Sequence, residues 1–139
     1  MLLEVKTRIN RIVDSKSIKS IETYILDKDF FSVAELVVTA ELDDEIGNTD
    51  GSFEILSIRQ SPIKEIADQF HGEKSFIVTL RDTFHDDNGR EKSLRYKVLL
   101  YADNPSDAMH NASLLQRQGY EMQIEGLREV NYIYINNQE

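Results

Sequence analysis

Three stretches of the chain recur in the same order, and this recurrence limits the fold more than any other feature. Leu3-Glu4-Val5-Lys6-Thr7-Arg8 lies over Phe76-Ile77-Val78-Thr79-Leu80-Arg81 at an offset of 73, with Val and Arg shared. Asp29-Phe30-Phe31-Ser32-Val33-Ala34 lies over Asp103-Asn104-Pro105-Ser106-Asp107-Ala108 at an offset of 74, with Asp, Ser and Ala shared. Phe53-Glu54-Ile55-Leu56-Ser57-Ile58-Arg59 lies over Met122-Gln123-Ile124-Glu125-Gly126-Leu127-Arg128 at an offset of 69, a change that one shorter connection explains. Ordered self-similarity of this kind is the mark of a repeated supersecondary unit. The reading is one domain over 1–139, with internal repeats 2–67 and 75–135 joined by a short linker around 68–74.

Each repeat reads as strand, strand, helix, strand. Phe76 to Phe84 and Leu94 to Tyr101 are strand-like, and the loop between them contains Asn88-Gly89, a strong hairpin signal because a tight turn needs positive φ. Leu3 to Val13 and Ile18 to Leu26 flank a weaker turn, Asp14-Ser15-Lys16-Ser17. Ser32 and Ser106 are candidate helix N-caps, since a serine hydroxyl accepts from a first-turn N–H. The first helix is expected to bury Val33, Leu36, Val37 and Ala40, and the second Ala108, Ala112 and Leu115 before ending at Gly119. Ile63 to Phe70 reads as a short linking helix. The predicted fold class is therefore α+β: two repeats forming one compact antiparallel-sheet domain with helices on one face. An edge such as Leu3 to Ile9 is a candidate for pairing across a homodimer axis.

Composition narrows the function classes. The 139 residues contain no cysteine, which removes disulfides, thiolate metal sites and cysteine nucleophiles. No apolar run is long enough to span a bilayer, and Met1 to Asn10 reads as a strand rather than a signal peptide, so no membrane partner and a cytoplasmic location are expected. His71, His85 and His110 lack the spacing of a helical zinc motif. His85 with Asp82, Asp86 and Asp87 offers oxygen ligands for a hard cation, but a solvated hairpin tip is the preferred reading. Calcium-loop spacing fails at Gly51 and Gly89. With no phosphate loop, dinucleotide fingerprint or nucleophile elbow, no catalytic residue, metal or cofactor is expected, and the protein reads as a non-enzyme.

Charge is distributed unevenly. Residues 27–54 hold nine acids against one base, Lys28, within a chain of net charge −9. Glu41, Asp43, Asp44 and Glu45 form the densest part, a candidate surface for a protein partner. The strand period places the opposite charge elsewhere. If Leu3, Val5 and Thr7 face the helix, Lys6 and Arg8 face away. The three-residue spacings Ile55/Ile58 and Ile124/Leu127 imply bulges that turn Arg59 and Arg128 the same way. Arg81, Arg95, Lys97 and Tyr101 join them, with Ile25 and Leu99 as apolar contacts and Glu4 and Asp27 as the chief acids. A face of guanidinium groups and an aromatic ring suits a phosphate-rich ligand, either single-stranded nucleic acid or a nucleotide. The runner-up is a protein-interaction or host-factor-inhibiting protein working through residues 27–54 or a strand edge, and the third choice is an enzyme without a recognisable motif, its site assembled from distant parts of the chain.

The run Ile21-Glu22-Thr23-Tyr24-Ile25-Leu26-Asp27, then Phe31-Ser32-Val33-Ala34-Glu35, then Gly51-Ser52-Phe53-Glu54-Ile55-Leu56-Ser57-Ile58-Arg59 resembles an uncharacterised domain family of gut bacteria, their mobile elements and their phages. Members are similar in length and share the duplicated strand–strand–helix–strand order. The second half departs from the pattern at Pro105 and Met109. The resemblance implies a fold and an accessory role in a phage or mobile element; it supplies no catalytic residue and no ligand.

Overall fold

The computed structural model describes residues 1–117 and 122–136. In chain order the elements are β1 (Leu2–Val13), β2 (Lys16–Asp27), α1 (Phe31–Ile46), β3 (Ser52–Gln60), β4 (Glu65–Ala67), β5 (Lys74–His85), β6 (Glu91–Ala102), α2 (Pro105–Arg117), β7 (Gln123–Val130) and β8 (Tyr132–Ile135). The class is α+β, with these strands in two four-stranded sheets. The chain divides into two compact units, Met1–Ser61 with the segment from Asn131, and Pro62–Val130.

The first unit has the sheet order β3-β1-β2-β8. β1 and β2 form a hairpin across Asp14 and Ser15, whose φ values of 52° and 65° are the left-handed pair that a two-residue turn demands. β3 runs antiparallel to β1, and β8 adds a parallel strand to β2. Leu3, Val5, Ile9, Tyr24 and Leu26 pack against Ala34, Val38, Leu42 and Ile46 of α1. Burying each large aliphatic chain contributes about 1.5–3 kcal/mol. α1 therefore turns a different stripe inward than expected: Val33 and Leu36 are exposed and Val37 is only partly buried. Apolar residues surround the helix between Val33 and Leu42, so periodicity offers two rival stripes. The sheet accepts the one that continues to Ile46.

The second unit has the order β4-β6-β5-β7. Its hairpin β5–β6 closes over Asp86–Arg90, where Gly89 has a φ of 75° and Asp86 accepts from the N–H groups of Asn88 and Arg90 at 2.9 and 2.8 Å. β7 runs antiparallel to β5, and β4 adds a parallel strand to β6. Phe76, Val78, Leu80, Val98 and Leu100 pack against Ala108, Ala112 and Leu115 of α2. The element order thus repeats that of the first unit, with the parallel strand again supplied from elsewhere in the chain: β4 follows β3 in sequence, and β8 follows β7. Each sheet is accordingly mixed rather than wholly antiparallel.

Four local expectations change. The segment after Pro62 is a strand, β4, rather than a helix. Ile63, Ile66 and Ala67 imitate helical spacing, but their backbone is satisfied by β6, and the Lys64 N–H donates to the Lys97 carbonyl at 2.9 Å. β1 is paired on both sides, so Leu3 to Ile9 is interior and not an edge. Ser32 does not cap α1: the N-cap is Phe30, extended at φ −128° and ψ 138°, with no side-chain cap bond. Ser106 does not cap α2 either. Asn104 Oδ1 accepts the Asp107 N–H at 2.9 Å, while Pro105 occupies the first helical position, where its missing N–H costs nothing. Gly119, read as a helix terminator, lies outside the described residues. Replacing Asn104 by Ala should therefore cost about 0.5–2 kcal/mol in urea unfolding, whereas Ser106→Ala should stay within about 0.5 kcal/mol.

Candidate anion-binding site

Because Leu3, Val5 and Ile9 point to α1, alternation sends Glu4, Lys6 and Arg8 to the second face of the first sheet. β2 follows suit: Tyr24 and Leu26 pack toward the helix, and Thr23, opposite Lys6, faces the other way. The pairing of β1 with β3 slips between Lys6 and Thr7, so Lys6 faces Ser57 while Thr7 faces Ile55 and Leu56 is the extra residue. The slip leaves both Ile55 and Ile58 against the core and sets Arg59 opposite Glu4 on the second face. The spacing of the two isoleucines had implied this bulge.

The pairing has a chemical consequence. Glu4 is buried and accepts from Arg59 Nε at 2.7 Å and from Ser61 Oγ at 3.2 Å. The Arg59 side chain is nevertheless 64% exposed. The hydrogen bond and charge of Glu4 hold the guanidinium above the ordinary arginine range, with a smaller contribution from Tyr132. Around this pair lies a hollow of about 260 Å³ lined by Glu4, Lys6, Thr23, Ser57, Arg59 and Tyr132. Among the described residues no hydrogen bond or ion pair holds the Lys6 ammonium. The hollow thus offers one anchored guanidinium, one unpaired ammonium and three hydroxyls. Arg8 lies farther along the same face beside a second hollow, but Glu54, its cross-strand neighbour, already binds it at 2.7 Å.

The second unit carries the other expected residues. Phe76, Val78 and Leu80 face α2, so Arg81 faces away, as do Arg95, Lys97 and Tyr101 from β6. A slip between Thr79 and Leu80 places Arg128 opposite Ile77, the register position of Arg59 opposite Glu4. Glu125 is the extra residue at this slip. It binds Arg95 Nε at 2.9 Å and approaches Arg81 at 3.9 Å, while Gln123 accepts from Arg81 at 3.0 Å. Lys97 and Arg128 have no such partner among the described residues. The expected set is thus distributed as Lys6, Arg8 and Arg59 on one unit and Arg81, Arg95, Lys97, Tyr101 and Arg128 on the other. Ile25 and Leu99 are fully buried and present nothing to a ligand, and Tyr101 is half-buried.

The acidic group also divides. Glu45 accepts from Arg11 Nε at 2.8 Å, and Arg11 also binds Glu22. These two carboxylates raise the Arg11 pKa above its ordinary value, Glu45 more strongly. Glu41, Asp43 and Asp44 are exposed and unpaired among the described residues. No trio of His, Cys, Asp or Glu among the described residues is placed to hold a metal, and no described helix is long and apolar enough to cross a membrane. Sequence reasoning missed Glu54, Glu125, Thr23, Ser57 and Tyr132. The two glutamates need the exact register to be seen. Tyr132-Ile133-Tyr134-Ile135 carries a plain strand alternation that could have been found.

Arg59 and Arg128 form a natural control pair, since only Arg59 meets a buried carboxylate. Arg59→Ala leaves Glu4 short of a partner and should cost about 1–3 kcal/mol. Arg128→Ala should remain within about 0.5 kcal/mol by the same urea titration. Equal costs would contradict the anchoring role of Glu4.

The comparisons with known proteins agree with a chain of one family throughout its length. No curated protein and no solved structure matches it. The family model described as Domain of unknown function (DUF4494) matches residues 1–137, and the chain belongs to that family.

Proposed function

We propose that this protein is a non-catalytic, duplicated accessory module that binds phosphate groups of a single-stranded nucleic acid or nucleotide, with the Lys6–Arg59 hollow as the primary contact. The observation that carries the reading is the buried Glu4 beneath Arg59: the carboxylate orients the guanidinium through Nε and leaves the side chain largely exposed. A pre-oriented guanidinium loses less freedom when it forms its charge-assisted bonds to a phosphate. Lys6 supplies the second charge, and Thr23, Ser57 and Tyr132 supply hydroxyls. At about 260 Å³ the hollow is smaller than the roughly 300–1,000 Å³ that encloses a drug-sized ligand. It suits a phosphoryl group, with the rest of the ligand lying across the sheet. Lys97 and Arg128 give the second unit unpaired cations for a further phosphate.

The net charge of −9 shapes the ligand class. Long-range repulsion slows the approach of extended polyanions, which favours nucleotides and short single strands over duplexes. The family resemblance supports an accessory role in a phage or mobile element.

Fluorescence anisotropy with a labelled ten-nucleotide oligo-dT, repeated over a range of salt, tests the reading. Lys6→Glu, at an exposed and unpaired position, should weaken binding tenfold or more and reduce the salt slope by about one. Lys74→Glu, on an exposed lysine outside the hollow, should change little. Equal binding by wild type and Lys6→Glu would reject the site.

A further inference from the structure

Helix α1 departs from helix physics at three places. Its N-cap is Phe30, 66% exposed and without a side-chain cap bond, where Ser, Asp or Asn would satisfy a first-turn N–H. Its exposed side carries Val33, Ala40 and Leu36, the last 70% exposed. Its first turn has no acid and its last turn no base; Asp43, Asp44 and Glu45 instead crowd the end where the backbone dipole is already negative. Among the described residues only Glu45 of these three is compensated, by Arg11. Val33, Leu36, Ala40 and Asp43 are spaced by three or four residues, so they form one stripe, apolar and then acidic, opposite the buried stripe Ala34, Val38, Leu42 and Ile46. Local rules broken together on one surface mark a place selected for something other than stability.

We propose that the outer face of α1 docks a basic amphipathic helix of a partner protein, with apolar anchors against Phe30, Val33 and Leu36 and Lys or Arg toward Asp43 and Asp44. Charge complementarity selects this occupant. Residues 27–54 offer nine acids and a single lysine, so a second copy of the same face brings one cation against nine acids. An anionic lipid surface or a nucleic acid meets the same repulsion. A basic helix satisfies both halves of the stripe, and Val33 to Asp44 spans about 16 Å, or three turns of partner helix.

The test uses the full chain and a labelled 18-residue peptide of leucine and lysine with leucines at helical spacing. Anisotropy should show saturable binding that is at least tenfold weaker for Leu36→Gln and for Asp43→Lys/Asp44→Lys, and unchanged for Lys6→Glu, which separates this face from the phosphate hollow. A scrambled peptide of the same composition, and a leucine–glutamate peptide, should bind at least tenfold more weakly. Phe30→Ser should weaken peptide binding while leaving the melting temperature equal or higher, because serine supplies the missing cap. Equal affinity for the scrambled peptide or for Leu36→Gln would overturn the proposal by reducing the contact to charge. So would absence of saturable binding, or self-association of the wild type in sedimentation that Leu36→Gln abolishes, which would identify the occupant as a second copy.

Discussion

Between Lys6 and Thr7 the pairing of β1 with β3 slips by one residue, and between Thr79 and Leu80 the pairing of β5 with β7 does the same. A strand has a side-chain period of two, so one extra residue returns the following side chains to the opposite parity. Without the slip, Ile55 and Ile58 could not both reach the core of the first unit, nor Ile124 and Leu127 that of the second. The same slip delivers Arg59 and Arg128 to the faces away from the helices. Packing and cationic display are two results of one backbone irregularity.

What happens next depends on the residue opposite. In the first unit Arg59 meets Glu4, a buried carboxylate also reached by Ser61. In the second, Arg128 meets Ile77, which is buried and apolar. The two units use the same register to different ends: one builds an anchored guanidinium beside a hollow, and the other leaves its arginine unpaired among the described residues. Elsewhere the charges neutralise locally, Arg8 with Glu54 and Arg81 and Arg95 with Glu125. Exposed pairs of this kind contribute little stability, but they reduce the positive field that a ligand would feel. A face that the sequence presents as strongly basic is therefore reduced, among the described residues, to a few unpaired cations, chiefly Lys6, Lys97 and Arg128.

The hairpins, both bulges and the parity of β1, β5 and β6 were legible in the sequence, because alternation and turn chemistry act locally. The failures have non-local causes. The inner stripe of α1 is not legible locally because Val33, Leu36 and Ala40 compete with Ala34, Val38 and Leu42 at the same period, and only the sheet decides. β4 imitates a helix in sequence because its three residues find their hydrogen bonds on β6, some thirty residues away. The serine caps failed one way in α2, where Asn104 and Pro105 form a better start, and another way in α1, where no side chain caps at all. Partners Glu54 and Glu125 were missed because cross-strand neighbours follow from register, and register follows from the bulge.

The central claim is that a phosphate finds a prepared place beside Arg59 on an acidic protein. Titration of the ¹⁵N-labelled chain with inorganic phosphate, followed residue by residue by NMR, measures it most directly. The account predicts saturable shifts concentrated at Lys6, Thr23, Ser57, Arg59 and Tyr132, with the amides of Phe31–Ile46 unmoved. Shifts that rise without saturation at lysines across the whole chain, or that leave Lys6 and Arg59 in place, would contradict it.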